Sequence, residues 1–258
     1  MRYALIVGID KYDLKNSNLN GCVNDARDVY NTLTKYDYIQ HQNIVMLLDH
    51  AATKKNIIDH LSNFVSKLST GDSLVYYHSG HGVQVADKNG DEVDGYDEAL
   101  VTHDFKWNDP FTDDILRDIL KDHPTDADIY LIFDTCYSGG FEMNEGDNTS
   151  RTISSKTDIK NININRFGVK QKNTSTQRHL LLSGCRESQY SYETKIGAET
   201  RGLMTFNLCE VLKNRNGKIK WSRLFKKIIN KVKRATGSKQ IPTLVATRNL
   251  KQKFTFRF

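Results

Sequence analysis

The sequence predicts an α/β fold, with about six mostly parallel strands and helices on both faces of the sheet. Short apolar runs rich in β-branched and aromatic residues recur at residues 2–9, 43–48, 73–78, 129–134, 179–184 and 243–247. Segments with helical apolar spacing separate several of them, and strand–helix alternation at these lengths favours a doubly wound parallel sheet. The chain has 258 residues, 38% of them hydrophobic and 10% aromatic, enough for one sizeable core.

Each element follows from a local pattern. After the first run, residues 10–20 are polar, and Gly21-Cys22-Val23-Asn24-Asp25 leads into a helix to about residue 35, with Ala26, Val29, Tyr30 and Leu33 at helical spacing. Thr53 is a candidate cap for a helix presenting Ile57, Ile58, Leu61, Phe64, Val65 and Leu68. Gly71-Asp72 ends it before the third strand. Residues 83–105 read as a long acidic loop, and residues 112–121 as a short helix started by Asp113 and Asp114. Residues 141–177 lack apolar periodicity, and a loop of that length is expected to be functional or disordered. Helices are predicted over residues 202–213 and 220–234, the second with Trp221, Leu224, Phe225, Ile228, Ile229 and Val232 on one face. Residues 251–258 alternate like a late edge strand whose Lys and Arg protect it from pairing, so a monomer is expected.

Composition excludes some functions. No run approaches the roughly 20 apolar residues that cross a bilayer. The first residues read as a strand, not a secretory leader. Cys22, Cys136, Cys185 and Cys209 are widely spaced with no CxxC pair, which disfavours a disulfide framework or a zinc site and fits a reducing, cytoplasmic setting. Residues 211–258 carry fifteen Lys or Arg and no Asp or Glu, so −9 of the overall +6 falls on residues 1–210. With no stacking aromatics or nucleic-acid motif, this basic quarter reads as a solvated helix face attracted to an acidic body, and a nucleic-acid partner is not expected.

Two strand ends carry the chemistry. Residues 129–134 run into Asp134-Thr135-Cys136, followed by Ser138, Gly139 and Gly140. Residues 73–78 run into His78-Ser79-Gly80-His81-Gly82. Carboxyl ends of strands are where open α/β sheets place their sites, so a thiol and an imidazole meet there. The imidazole lowers the thiol pKa and later protonates a leaving amine. His81 is the stronger candidate, because His78 still lies in the strand and points into packing. The backbone N–H groups of Gly82 and Cys136 form the expected oxyanion hole.

At these residues the chain resembles the metacaspases and their bacterial orthocaspase-like relatives among the caspase-type cysteine peptidases. The resemblance covers nearly the whole chain: Tyr3-Ala-Leu-Ile-Val-Gly-Ile9, Gly21-Cys-Val-Asn-Asp25, His78-Ser-Gly-His-Gly82, Asp94-Gly-Tyr-Asp-Glu-Ala-Leu100, Asp113-Asp114 and Asp134-Thr-Cys-Tyr-Ser-Gly139. It implies a caspase-like fold over residues 1–258, with a large-subunit-like part (1–140), a flexible and self-cleaved linker (141–178) and a small-subunit-like part (179–258). It implies a Cys136–His81 dyad and a primary pocket lined by Cys22, Asp25, Ser79 and Asp134. Two carboxylates in that pocket suit Arg or Lys and repel Asp, so protein or peptide substrates cut after Arg or Lys are expected. It also implies a regulatory calcium site at Asp97, Asp113 and Asp114. Here the sequence departs from the family: the position of a fourth carboxylate is Met143, with Glu142 and Glu145 beside it. Tyr137 stands where many metacaspases have His. An EF-hand is excluded for Asp87, Asn89, Asp91 and Glu98, because Glu92 occupies the glycine position and no helices flank the loop. The competing expectation is a catalytically idle caspase-like interaction module.

Overall fold

The computed structural model describes residues 1–90, 95–135, 149–150, 178–186, 189–246 and 248–256. In chain order the elements are β1 (Arg2–Gly8), α1 (Cys22–Lys35), β2 (Ile44–Leu48), α2 (Lys54–Lys67), β3 (Ser73–Ser79), β4 (Gly82–Ala86), β5 (Tyr96–Leu100), β6 (Phe111–Thr112) and α3 (Asp113–Leu120). There follow β7 (Asp128–Asp134), β8 (Thr149–Ser150), β9 (Arg178–Ser183), β10 (Tyr192–Ile196), β11 (Glu199–Gly202), α4 (Leu203–Lys213), α5 (Trp221–Thr236), β12 (Thr243–Ala246) and α6 (Arg248–Gln252).

The central sheet has the order β12-β9-β7-β3-β1-β2. All pairs are parallel except β12 with β9. Successive side chains of a strand face opposite ways, and both faces here are covered, which explains the near-continuous apolar runs. Leu5, Val7, Leu74, Tyr76, Ile129 and Leu131 pack with Ile57, Leu61 and Phe64 of α2 and Leu116 of α3. Ala4, Ile6, Val75, Tyr77, Tyr130 and Ile132 pack with Val29 and Leu33 of α1, Met204 and Leu208 of α4, and Leu224 and Ile228 of α5. Strand order reverses between β1 and β3, so their carboxyl ends form the crevice in which such sheets bind ligands. Gly8 ends β1 there: an added Cβ would sit 2.5 Å from the Cys22 carbonyl oxygen, so glycine lets α1 close on the sheet.

Two expectations need correction. The acidic stretch 83–105 is not simply a loop. β4 and β5 pair antiparallel, β6 pairs with β5, and Asp97 and Glu98 are buried despite their charge. The acidic composition conceals two strands buried at successive positions, Val83 and Gln84 in β4 and Asp97 to Leu100 in β5. Residues 251–256 do not form an edge strand either, and residues 257–258 lie outside the described residues. Residues 248–252 are helical, and beyond them Phe254 makes a single antiparallel bridge to Lys220. Phe256 packs edge-on to Trp221 and Tyr130, so its place in the alternation is explained by anchoring in an aromatic cluster. Residues 141–148 and 151–177 lie outside the described residues. Among the described residues no helix is long and apolar enough to cross a membrane.

Candidate active site

The site is built at the carboxyl ends of β1, β3 and β7. In register, Gly8 stands beside Ser79 and Ser79 beside Asp134, so three adjacent strands end at one level. His81 follows β3 by two residues and is 3% exposed. Its Nε2 lies 2.7 Å from the Ser17 carbonyl oxygen. A carbonyl only accepts, so Nε2 carries the proton and Nδ1 is the basic nitrogen of the neutral ring. The His81 backbone N–H donates to Tyr12 Oη at 2.9 Å, and the two rings pack with centroids 5.0 Å apart. The His81 carbonyl accepts the Val101 N–H, fastening the turn to the β4–β5 layer. Gly80 is confined: a Cβ there would come within 2.7 Å of Tyr12 Oη and 3.0 Å of His78 Nε2. His78 is buried within β3, its Nδ1 3.3 Å from Tyr76 Oη, as its place in the strand predicts.

Beside His81 lie two fully buried carboxylates. Asp25, in the first turn of α1, accepts the Ser79 hydroxyl at 2.9 Å and the Gly202 N–H at 2.9 and 3.1 Å on its two oxygens. Asp134, the last residue of β7, accepts the Ser191 hydroxyl at 2.6 Å. Its other oxygen accepts the Thr205 N–H at 3.0 Å and the Thr205 hydroxyl at 2.7 Å. Cys22 opens α1 and is fully buried, its N–H donating to Asp10 Oδ1 at 2.8 Å. Of the residues expected to line the primary pocket, Asp25 accepts from Ser79, Ser79 stands beside Asp134 in register, and Cys22 opens the helix that carries Asp25. Gly82 opens β4 opposite Leu100. Cys136 lies outside the described residues, and the chain reaches it directly from Thr135, which is buried.

The caspase domain model of peptidase family C14 matches residues 1–254. The chain belongs to the caspase domain family. Metacaspase-1 of Candida glabrata is 39% identical over 145 residues, covering 54% of this chain and 37% of that protein. Metacaspase-1 of Schizosaccharomyces pombe is 28% identical over 256 residues, covering 82% of this chain and 60% of that protein. The chain therefore spans between about a third and three fifths of these relatives' length. The crystal structure of protein GSU0716 from Geobacter sulfurreducens superposes with a TM-score of 0.71 at 23% identity, covering 99% of this chain and 98% of the other, a likeness of fold.

The acidic residues expected to hold calcium sit one layer away from this caspase-type crevice. Asp97 is on β5, and Asp113 and Asp114 begin α3, where carboxylates also favour the helix dipole. Arg117 reaches back to both, 3.1 Å from Asp113 and 2.5 Å from Asp114, and Asn89 donates to Asp114. Their oxygens suit a hard cation, which would have to displace the Arg117 guanidinium. Among the described residues, the group whose ligand atoms lie mutually within 4.8 Å is a different one: Asp10, Cys22 and Glu193. Asp10 accepts the Cys22 and Val23 N–H groups, and Glu193 those of Asn20 and Gly21. The two carboxylates thereby cap α1, whose own cap residue, Gly21, has no side chain.

Sequence reasoning missed Ser17, Tyr12, Ser191, Glu193, Gly202 and Thr205. Ser17 and Gly202 act through the backbone, which leaves no residue-type signal. The other four act across more than 55 positions of sequence, and only the fold reveals them.

Proposed function

We propose that the chain is a cysteine endopeptidase that cuts protein or peptide chains after Arg or Lys. The single observation that carries this is the orientation of His81. Its proton is held on Nε2 by the Ser17 carbonyl, leaving Nδ1 basic at the strand end adjacent to the one that continues into Cys136. In the proposed reaction Nδ1 takes the Cys136 thiol proton, and the thiolate attacks the scissile carbonyl. The oxyanion is met by the N–H groups of Gly82 and Cys136. His81 returns the proton to the leaving amine, giving a thioester; His81 then deprotonates water, which releases the acid and restores the thiol.

Asp25 and Asp134 favour a cationic side chain at the cleavage point. Both now accept hydroxyl donors, from Ser79 and Ser191, that can turn aside when a guanidinium or ammonium enters. Calcium would be held by Asp97, Asp113 and Asp114 with Arg117 withdrawn, and it would order the β5–α3 layer that is fastened to His81 through Val101. Residues 141–178 contain Arg151, Lys156, Lys160, Arg166, Lys170, Lys172 and Arg178, all matched to the proposed specificity, so self-cleavage there belongs to the same reading. Among the described residues Cys22, Cys185 and Cys209 form no disulfide, which suits a reducing compartment such as the cytoplasm, and a monomer suffices for the site.

One observation favours a second reading, an idle interaction module: both pocket carboxylates are fully buried and hydrogen-bonded. Hydrolysis of paired fluorogenic peptides ending in Arg, Lys or Asp, with calcium or with chelator, separates the two. Turnover confined to Arg and Lys is expected. Turnover confined to Asp would overturn the specificity, and no turnover with any peptide would favour the idle module.

A further inference from the structure

At the amino end of the sheet, opposite the active site, two histidines face each other. His123 follows α3 and is 4% exposed; His179 is the second residue of β9, in register with Ile129 of β7. Their Nε2 atoms are 3.1 Å apart, with ring centroids 4.7 Å apart. His123 Nδ1 lies 2.5 Å from the Leu120 carbonyl oxygen, so the proton of its neutral ring is on Nδ1 and its Nε2 offers a lone pair toward His179.

We propose that His123 and His179 form a binding site for a late first-row divalent ion, zinc in particular, unrelated to catalysis. Two imidazoles bound to a tetrahedral zinc at about 2.05 Å each hold their nitrogens about 3.3 Å apart, close to the separation here. The Leu120 carbonyl supplies the outer hydrogen bond that sets a ligating histidine's tautomer and orientation. Imidazole suits zinc, nickel and copper, whereas calcium and magnesium prefer oxygen. Among the described residues no third His, Cys, Asp or Glu completes the pair into a group of three, so water fills the remaining positions. Binding is then weaker than at a four-ligand structural site. The ion would join residue 123 to residue 179, across the segment 141–178 that lies between them in sequence.

The test is calorimetric titration of zinc into the full chain carrying Cys136→Ala, which removes the proposed nucleophilic thiol as a competing zinc ligand. One ion bound in that parent, and none in His123→Gln or His179→Gln added to it, is the expected result. No binding in the parent, or undiminished binding in both variants, would overturn the site. If a variant fails to fold, nickel added to the parent decides instead. Paramagnetic broadening should reach the ring signals of His123 and His179 first; broadening that begins at other histidines refutes the proposal.

Discussion

The two ends of the central sheet bury charge by different means. At the carboxyl end, Asp25 and Asp134 are held by hydroxyls and backbone N–H groups from four other elements or loops. At the amino end, Asp128 is as deeply buried, but its oxygen is held by the Lys253 ammonium, and the nearby imidazoles of His123 and His179 hold each other. A hydroxyl that donates to a carboxylate can rotate away and leave the full negative charge to an incoming cation. An ammonium that faces a buried carboxylate instead balances its charge within the fold. The carboxyl end thus holds its carboxylates with neutral donors, while the amino end ties β7 to the segment after α6 through an ion pair.

Substitutions can break or sharpen this contrast. Removing the imidazole should have the largest effect: His81→Ala should lower kcat/KM on an Arg peptide by about 10²–10⁴-fold, the usual loss for a general acid–base. Its melting temperature should stay close to that of the parent. Gly80→Ala should act on the same turn by sterics, since its Cβ meets Tyr12 Oη at 2.7 Å. It should destabilise the chain by about 1–3 kcal/mol in urea titrations and lower kcat with little change in KM. At the other end, Lys253→Met should cost about 1–3 kcal/mol by stranding Asp128, a figure discounted for the partly exposed ammonium. Peptide hydrolysis by that variant should be unchanged within a factor of two.

The smallest effect is the pH dependence at the same end, read in chelator. The His179 pKa is lowered from 6.5 to about 4 in the folded chain, so the unfolded chain binds the extra proton between those values. Stability should therefore fall as the pH drops from about 6.5 to about 4, by at most about 3 kcal/mol at 1.36 kcal/mol per unit. His179→Gln should flatten that part of the urea-midpoint profile.

How much was legible in the sequence follows the same physics. The strands of the parallel sheet are buried on both faces, so β1, β3, β7 and β9 announce themselves as unbroken apolar runs. The motifs holding His81 and Asp134 sit directly at their ends, and Asp25 lies in the first turn of the helix that follows β1. The β4–β5 pair was hidden because Asp97 and Glu98 are buried polar residues that imitate a solvated loop. Phe256 imitated a strand residue because anchoring in an aromatic cluster buries it, while Phe254, two positions earlier, is exposed and only bridges Lys220. The donors that shape the pocket, Ser191, Gly202 and Thr205, come from the far side of the chain. The Ser17 carbonyl that sets the His81 tautomer would look the same with any residue at that position.

The most direct test of the central claim separates recognition from reactivity at a single strand end. Asp134→Asn keeps the shape of the residue that ends β7 while removing its charge, two positions before Cys136. The measurement is kcat/KM on matched Arg and uncharged peptides, alongside the rate at which iodoacetamide alkylates Cys136. A loss of about 100-fold on the Arg peptide, a small change on the uncharged one and an unchanged alkylation rate is the predicted result. Normal cleavage of the Arg peptide by Asp134→Asn would contradict the account.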